Sequence, residues 1–134
     1  MVYCTTGSDL NKIGELYKEW TGKSFKLKSP LVNSFFGVAK MEGGNEIVGV
    51  AQLIVIDDPF WRRRWGLVEN VYVKEGYRKQ GIAKALMKFI ETQALGVGCD
   101  FIKLTSGYDK VVGHKLWRSL EYTEGLAFKR QFKA

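Results

Sequence analysis

Between Leu67 and Leu86 the chain reads Leu-Val-Glu-Asn-Val-Tyr-Val-Lys-Glu-Gly-Tyr-Arg-Lys-Gln-Gly-Ile-Ala-Lys-Ala-Leu. An alternating apolar run, suited to a strand, gives way to a short turn. Arg78-Lys79-Gln80-Gly81-Ile82-Ala83 then opens a helix. The first turn of a helix has backbone N–H groups without internal partners, and its positive dipole end favours an anion. Gly81 allows an anion to approach the main chain with no Cβ in the way, and Ala83 keeps the next turn small. Arg78 and Lys79 add formal positive charge beside it. The expectation is a diphosphate held largely by backbone amides. This is neither of the common phosphate loops: the third glycine of a dinucleotide fingerprint is missing, and no Gly-Lys-Ser/Thr follows.

The elements that must position this segment come from the rest of the chain. Its 134 residues suit one domain spanning 1–134, large enough for a real core. The content of 46% hydrophobic and 26% charged residues is globular, which argues against disorder. Lys plus Arg number 21 against 14 Asp plus Glu, a formal charge of +7. That excess suits an anionic partner such as a nucleotide, a phosphorylated metabolite or nucleic acid, without choosing among them. Cys4 and Cys99 stand far apart with a single histidine, His114, so neither a zinc site nor a disulfide framework is expected. The N-terminus lacks a signal-peptide pattern and no apolar stretch is long enough to span a bilayer, so a cytoplasmic location is expected.

Val2–Thr5 reads as a strand, and Asp9 as the N-cap of a helix to about Trp20, with Leu10, Ile13, Leu16, Tyr17 and Trp20 at helical spacing. Lys23 to Asn33 reads as a loop or a second short helix. Phe35–Met41 and Glu46–Ile56 form a hairpin about Gly43-Gly44-Asn45. Asp57 to Gly66 is a loop, Leu67–Val73 a strand, and Ile82–Leu95 a helix ended by Gly96-Val97-Gly98. Phe101–Leu104 is a strand, Val111 to about Leu120 a helix, and Leu126–Phe132 a closing strand. The β-α-β unit from Leu67 to Leu104 requires parallel strands, whereas the earlier hairpins are antiparallel. The fold class is therefore α/β with a mixed sheet.

With that placement, the segment resembles the GNAT superfamily of acyl-CoA-dependent N-acyltransferases. Arg78, Gly81 and Ala83 match the family's Arg/Gln-x-x-Gly-x-Gly/Ala motif. Val68, Glu69, Val71 and Val73 match its preceding strand, and His114 to Tyr122 is similar to its Phe-Tyr-x-x-Leu-Gly-Phe signature. The resemblance implies a mostly antiparallel sheet whose central parallel pair is splayed around acetyl-CoA, with helices on both faces. It implies a direct transfer of acetyl to a primary amine, with acetyl-CoA as co-substrate and no metal. Val71, Tyr72 and Val73 would line the pantetheine arm, and Arg78, Lys79, Gln80, Gly81, Ile82, Ala83 and Lys84 the diphosphate. The backbone N–H near Val71 would be the oxyanion donor. Glu69, nine positions before Arg78, stands where many members carry a base; the competing reading is a strand-end carboxylate paired with a neighbouring cation. Two positions depart from the family pattern. Trp117 replaces the tyrosine that many members use as general acid, and indole has no proton to give at neutral pH. Trp117 is then expected beside the pantetheine or in the core, leaving protonation of the thiolate to water, Tyr108 or Tyr72. Glu121 replaces the signature glycine.

Asp57-Asp58-Pro59-Phe60-Trp61-Arg62-Arg63-Arg64-Trp65-Gly66 lies where the resemblance implies a border of the acceptor site. Arg62 and Arg64 could grip a phosphate or carboxylate, Asp58 a cationic amine, and Asn70 is a further candidate substrate contact. The same loop could stack on bases, or be a hairpin tip with solvated arginines. Glu69-Asn70-Val71-Tyr72-Val73 also looks somewhat like glucosamine-6-phosphate N-acetyltransferases. A small-molecule amine acceptor such as an amino sugar or amino acid ranks first. Protein or peptide acetylation and a non-catalytic acyl-CoA-binding module are the alternatives, nucleic acid ranks last, and the oligomeric state, a homodimer included, is left open.

Overall fold

A computed structural model of the chain describes residues 2–24, 33–106 and 110–133. They fall into two compact units, residues 1–104 and 105–134. Tyr108, most of the 23–33 stretch and its Pro30 lie outside the described residues.

In the first unit the chain runs β1 (Val2–Gly7), α1 (Leu10–Thr21), β2 (Ser34–Met41), β3 (Ile47–Asp58), β4 (Arg63–Val73), α2 (Ile82–Gly96) and β5 (Phe101–Leu104). The five strands form one sheet in chain order. Every neighbouring pair is antiparallel except β4 and β5, which are parallel. The hairpin at Gly43 and the parallel β-α-β unit both follow the pattern read from the sequence. The Asp57–Gly66 loop does not: β3 and β4 extend to Asp58 and Arg63, leaving only residues 59–62 as the turn. The cross-strand partners Asp57↔Arg64 and Asp58↔Arg63 explain the extension, because opposite charges directly across a ladder favour pairing.

Strand alternation divides the core between two faces. On one, Ile13, Leu16 and Tyr17 of α1 pack on Phe36, Val38, Ile47, Val50 and Tyr72. On the other, Ile82 and Leu86 of α2 pack on Ala39 and Val48. Each fully buried aliphatic side chain contributes about 1.5–3 kcal/mol, so both helices are fixed to the sheet mainly by these faces. α1 starts as expected, with the Asp9 carboxylate accepting from Lys12 N at 3.1 Å. At Gly49 of β3, a Cβ would lie 2.9 Å from Leu86 Cδ1 and 3.3 Å from Ile82 Cγ2, so the bare backbone sets how closely α2 approaches the sheet.

The second unit holds α3 (Val111–Ser119). The closing strand expected over Leu126–Phe132 is absent from the described residues. Leu126, Phe128 and Phe132 alternate as a strand would, yet they are 70%, 90% and 87% exposed. Alternation supplies the face of a strand, whereas a strand also needs a ladder partner. α3 ends in a Schellman arrangement: Tyr122 N donates to Trp117 O and Glu121 N to Arg118 O, both at 3.0 Å. Glu121 therefore takes the left-handed conformation usual for glycine, with φ +65°.

Candidate active site

β4 changes character halfway along. Its pairing with β5 runs from Trp65↔Phe101 to Val68↔Leu104 and stops, while β4 continues to Val73. Its register with β3 slips at the same place: Val50 faces Tyr72 and Gln52 faces Glu69, so three steps on β4 oppose two on β3. The extra residue is a β-bulge at Asn70–Val71, with Asn70 left-handed at φ +53°. Asparagine is among the few non-glycine residues that take this conformation readily. Asn70 and Val71 thus lie outside the β3 register and beyond the last β4–β5 pair.

Side chains from three elements hold the bulge. Tyr17 of α1 donates its hydroxyl to Asn70 O at 2.9 Å. Asn70 Nδ2 donates to Gln52 Oε1 at 3.0 Å, and Gln52 Nε2 to Ser34 Oγ at 3.3 Å. Burial raises the Tyr17 phenol well above its ordinary value, so the hydroxyl stays a neutral donor at working pH. Glu69 is half-buried beside the bulge, and among the described residues no Lys or Arg pairs with it.

Next along the chain is the helix-opening turn. Gly81 is the N-cap of α2 with φ +79°, no side chain caps the helix, and its first turn contains no acidic residue. The first bond inside the helix is Ala85 N to Gly81 O at 3.0 Å, so the amides of Ile82, Ala83 and Lys84 are left to an outside acceptor. Apart from its chain neighbours, no heavy atom of the described residues lies within 4 Å of where a Gly81 Cβ would stand. Lys79, also left-handed at φ +61°, and Gln80 are exposed beside it. This open, cation-flanked row of amides fits a diphosphate such as that of acetyl-CoA. Ile82 offers only its amide, because its side chain is in the core. Arg78 is partly committed to the turn: Nε donates to Val73 O at 3.0 Å, and the guanidinium lies 5.3 Å from the Tyr72 ring centroid.

Besides its contact with Arg78, Tyr72 reaches α1. Its hydroxyl donates to Glu19 Oε1 at 3.3 Å and its ring stacks on Trp20 at 5.2 Å. Burial, then the Glu19 charge, raises its phenol above the ordinary value. Its hydroxyl is thereby engaged, which weighs against the role of thiolate acid considered for it. Trp117, in the second unit, packs its ring 6.0 Å from Tyr122 in the hydrophobic contact that accompanies a Schellman end. Its indole Nε1 is buried without a hydrogen-bond partner among the described residues.

The arginine hairpin is not brought to this site. Arg64 and Asn70 are six residues apart on one strand, about 20 Å at roughly 3.3 Å per residue. The hairpin also uses its own charges. Arg64 Nε donates to Asp57 Oδ1 at 2.6 Å, which holds the Asp57 carboxyl below the usual range, and Arg64 Nη1 donates to Val97 O at 2.7 Å. Asp58 accepts from the amides of Phe60 and Trp61 and lies 3.6 Å from Arg63 Nε. Arg62 is exposed and has no ion pair among the described residues. Asp58, Arg62 and Arg64 therefore stand at the hairpin end of the β3–β4 pair, away from the bulge at Asn70–Val71. What the sequence reading missed is Tyr17, Gln52, Glu19 and Trp20. The α1 residues were read only as a helical stripe, and no local signal marks them as bulge contacts.

No curated protein sequence matches this chain. Several solved structures share its fold. An aminoglycoside acetyltransferase from an uncultured soil metagenomic sample is 17% identical, with a TM-score of 0.82 over 98% of this chain and 97% of that one. A ribosomal-protein-alanine N-acetyltransferase from Brucella melitensis biovar Abortus 2308 is 19% identical, with a TM-score of 0.80 over 99% of both chains. An acetyltransferase of Trypanosoma brucei is 21% identical, with a TM-score of 0.75 over 100% and 99%. The sequence model of the acetyltransferase (GNAT) family matches residues 9–122, from α1 through the bulge and the Gly81 turn to the end of α3, and the chain belongs to that family of acetyl-CoA-dependent acetyltransferases.

Proposed function

We propose that this enzyme transfers acetyl from acetyl-CoA to the primary amine of a small molecule by direct attack. The observation that carries the reading is the break in β4, where pairing with β5 ends at Val68 and the Asn70–Val71 bulge follows, just ahead of the glycine-capped α2. When bound, acetyl-CoA supplies a thioester carbon: the C–N bond forms, the C–S bond breaks, and CoA departs as the thiol after gaining a proton.

The chain's residues divide the remaining work. Backbone groups of Val71 and Val73 hold the pantetheine arm, with Tyr72 between them. Amides from Gly81 to Lys84, with the Lys79, Lys84 and Arg78 charges and Gln80, hold the diphosphate. Glu69 takes the ammonium proton directly or through water; the lack of a paired cation among the described residues supports a base over a structural ion pair. The Val71 N–H donates to the developing oxyanion. Water or Tyr108 protonates the thiolate.

The acceptor is a compact amine such as an amino sugar or amino acid. Trp20, 45% exposed and stacked on Tyr72, stands with Glu19 at the C-terminal end of α1, the helix that also reaches the bulge through Tyr17. An aromatic face with a carboxylate suits a small cation, which would compete with Lys74, 3.9 Å from Glu19 Oε2. Asn70 then acts on the acceptor by shaping the bulge, since its amide already donates to Gln52. The finer lean toward glucosamine-6-phosphate keeps the Glu69–Val73 run as its support and loses the arginine hairpin, whose Arg63 and Arg64 pair within the loop. The test is release of CoA thiol from acetyl-CoA with amino sugars, amino acids and an alanine-ended peptide. Turnover of small amines is expected. Turnover of the peptide alone would overturn the acceptor reading, and tight acetyl-CoA binding without turnover would favour a non-catalytic acyl-CoA-binding module.

A further inference from the structure

The Asn70 carbonyl and the Val71 N–H belong to one peptide unit. That unit is planar and trans, so its C=O and N–H point in opposite directions. Whatever fixes the carbonyl aims the amide. In a regular strand the ladder does this, but Asn70 and Val71 have no partner in the β3 register and lie past the last β5 pair. The hydrogen bond from Tyr17, 53 residues away in sequence, takes the ladder's place. The Tyr17 ring is fixed in turn, 6% exposed, within 6.3 Å of the Phe36 ring and 6.0 Å of Trp20.

We propose that Tyr17 is the positioning residue of the oxyanion donor: its hydroxyl fixes the Asn70 carbonyl, turns the Val71 N–H away from α1, and polarises the shared peptide so that this N–H donates more strongly. The inference rests on the acetyl-transfer reading above and adds a residue outside the glycine turn and the β4 run. Three features separate it from ordinary core packing. The hydroxyl is spent on a bulge carbonyl rather than on a helix or strand end. The peptide it holds carries the amide assigned to the oxyanion. The second clamp on Asn70, from Gln52, acts on its side chain and leaves the peptide plane to Tyr17. Polarisation through a shared peptide follows from the cooperativity of linked hydrogen bonds.

The experiment is Tyr17→Phe, which keeps the ring and removes only the donor. Steady-state kinetics are measured with acetyl-CoA and the best small amine, beside the ¹⁵N–¹H spectrum of the free protein. kcat is expected to fall by about tenfold, less than the roughly 10²–10³ lost when an oxyanion donor is deleted outright. KM for acetyl-CoA should stay within about threefold, because a positioning role moves the transition state rather than ground-state binding. The pH profile of kcat/KM should keep its shape, and the Val71 amide proton should move upfield as its peptide loses polarisation. Unchanged kcat with an unchanged Val71 shift would overturn the proposal, as would a loss of rate carried wholly by KM. Thr21→Ala is the control. It removes the Thr21 Oγ1 bond to Tyr17 O at 2.8 Å without touching the phenol, and should leave kcat as it is. If Tyr17→Phe does not fold, wild-type hydrogen exchange decides: rapid exchange at Val71, slowed by acetyl-CoA, supports the inference, and an amide already protected in the free protein overturns it. Absence of turnover in the wild type would instead remove the acetyl-transfer reading, so the two failures are distinct.

Discussion

A half-buried carboxylate with no cation beside it contributes little to a fold and remains available to accept a proton. Among the described residues Glu69 has no ion-pair partner, whereas Glu46, Asp57 and Asp58 all have cationic partners. Glu69→Gln is therefore expected to lower kcat by about 10²-fold at neutral pH, within the usual range for removing a general base, with little change in KM for acetyl-CoA. CoA release across a pH series reads this, and a variant as fast as the parent would return Glu69 to a structural role. Tyr17 makes a second prediction, on stability. Burial raises its folded pKa above the ordinary 10.0, so its contribution is complete below pH 10 and is lost as the pH rises above it, where the unfolded chain gives up the proton first. Thermal melts should show the wild type losing stability more steeply above pH 10 than Tyr17→Phe. Parallel curves would contradict the burial. The Gly81 turn was legible because phosphate-binding chemistry there is local: glycine, adjacent cations and a helix start lie within a few positions. Tyr17 was not, because its partner is 53 residues away.

At the scale of elements, the sequence pattern located strands and helices where their periodicity met real partners, and erred where it did not. Asp57–Gly66 was polar enough to read as a loop, but its charges pair across the ladder and lengthen both strands. Leu126–Phe132 alternated without finding a ladder among the described residues. The bulge was invisible, since Asn70 becomes left-handed only through the registers on either side of it. The end of α3 supplies a test. Glu121 occupies the C′ position at φ +65°, where a side chain is strained and glycine is not. Glu121→Gly should stabilise the protein by about 1 kcal/mol, measured by denaturant midpoint, because relief of that strain outweighs the added freedom of the unfolded chain. A loss of stability would show that the Schellman end does not limit the helix.

For the whole molecule, the +7 charge posed a choice among anionic partners, and the structure distributes that charge unevenly. At the hairpin, Arg63 and Arg64 are paired with Asp58 and Asp57. At the start of α2, Lys79 and Lys84 flank amides that no acidic side chain caps. Two cationic regions at opposite ends of β4 thus make opposite claims on the same ligand, and the choice falls on the second. Titration of the ¹⁵N-labelled protein with acetyl-CoA tests that choice directly. The largest shifts are expected at the amides of Lys79 to Lys84 and at Val71 and Val73, with residues 60–64 unmoved. Shifts concentrated in the hairpin, with the Gly81 turn silent, would contradict it.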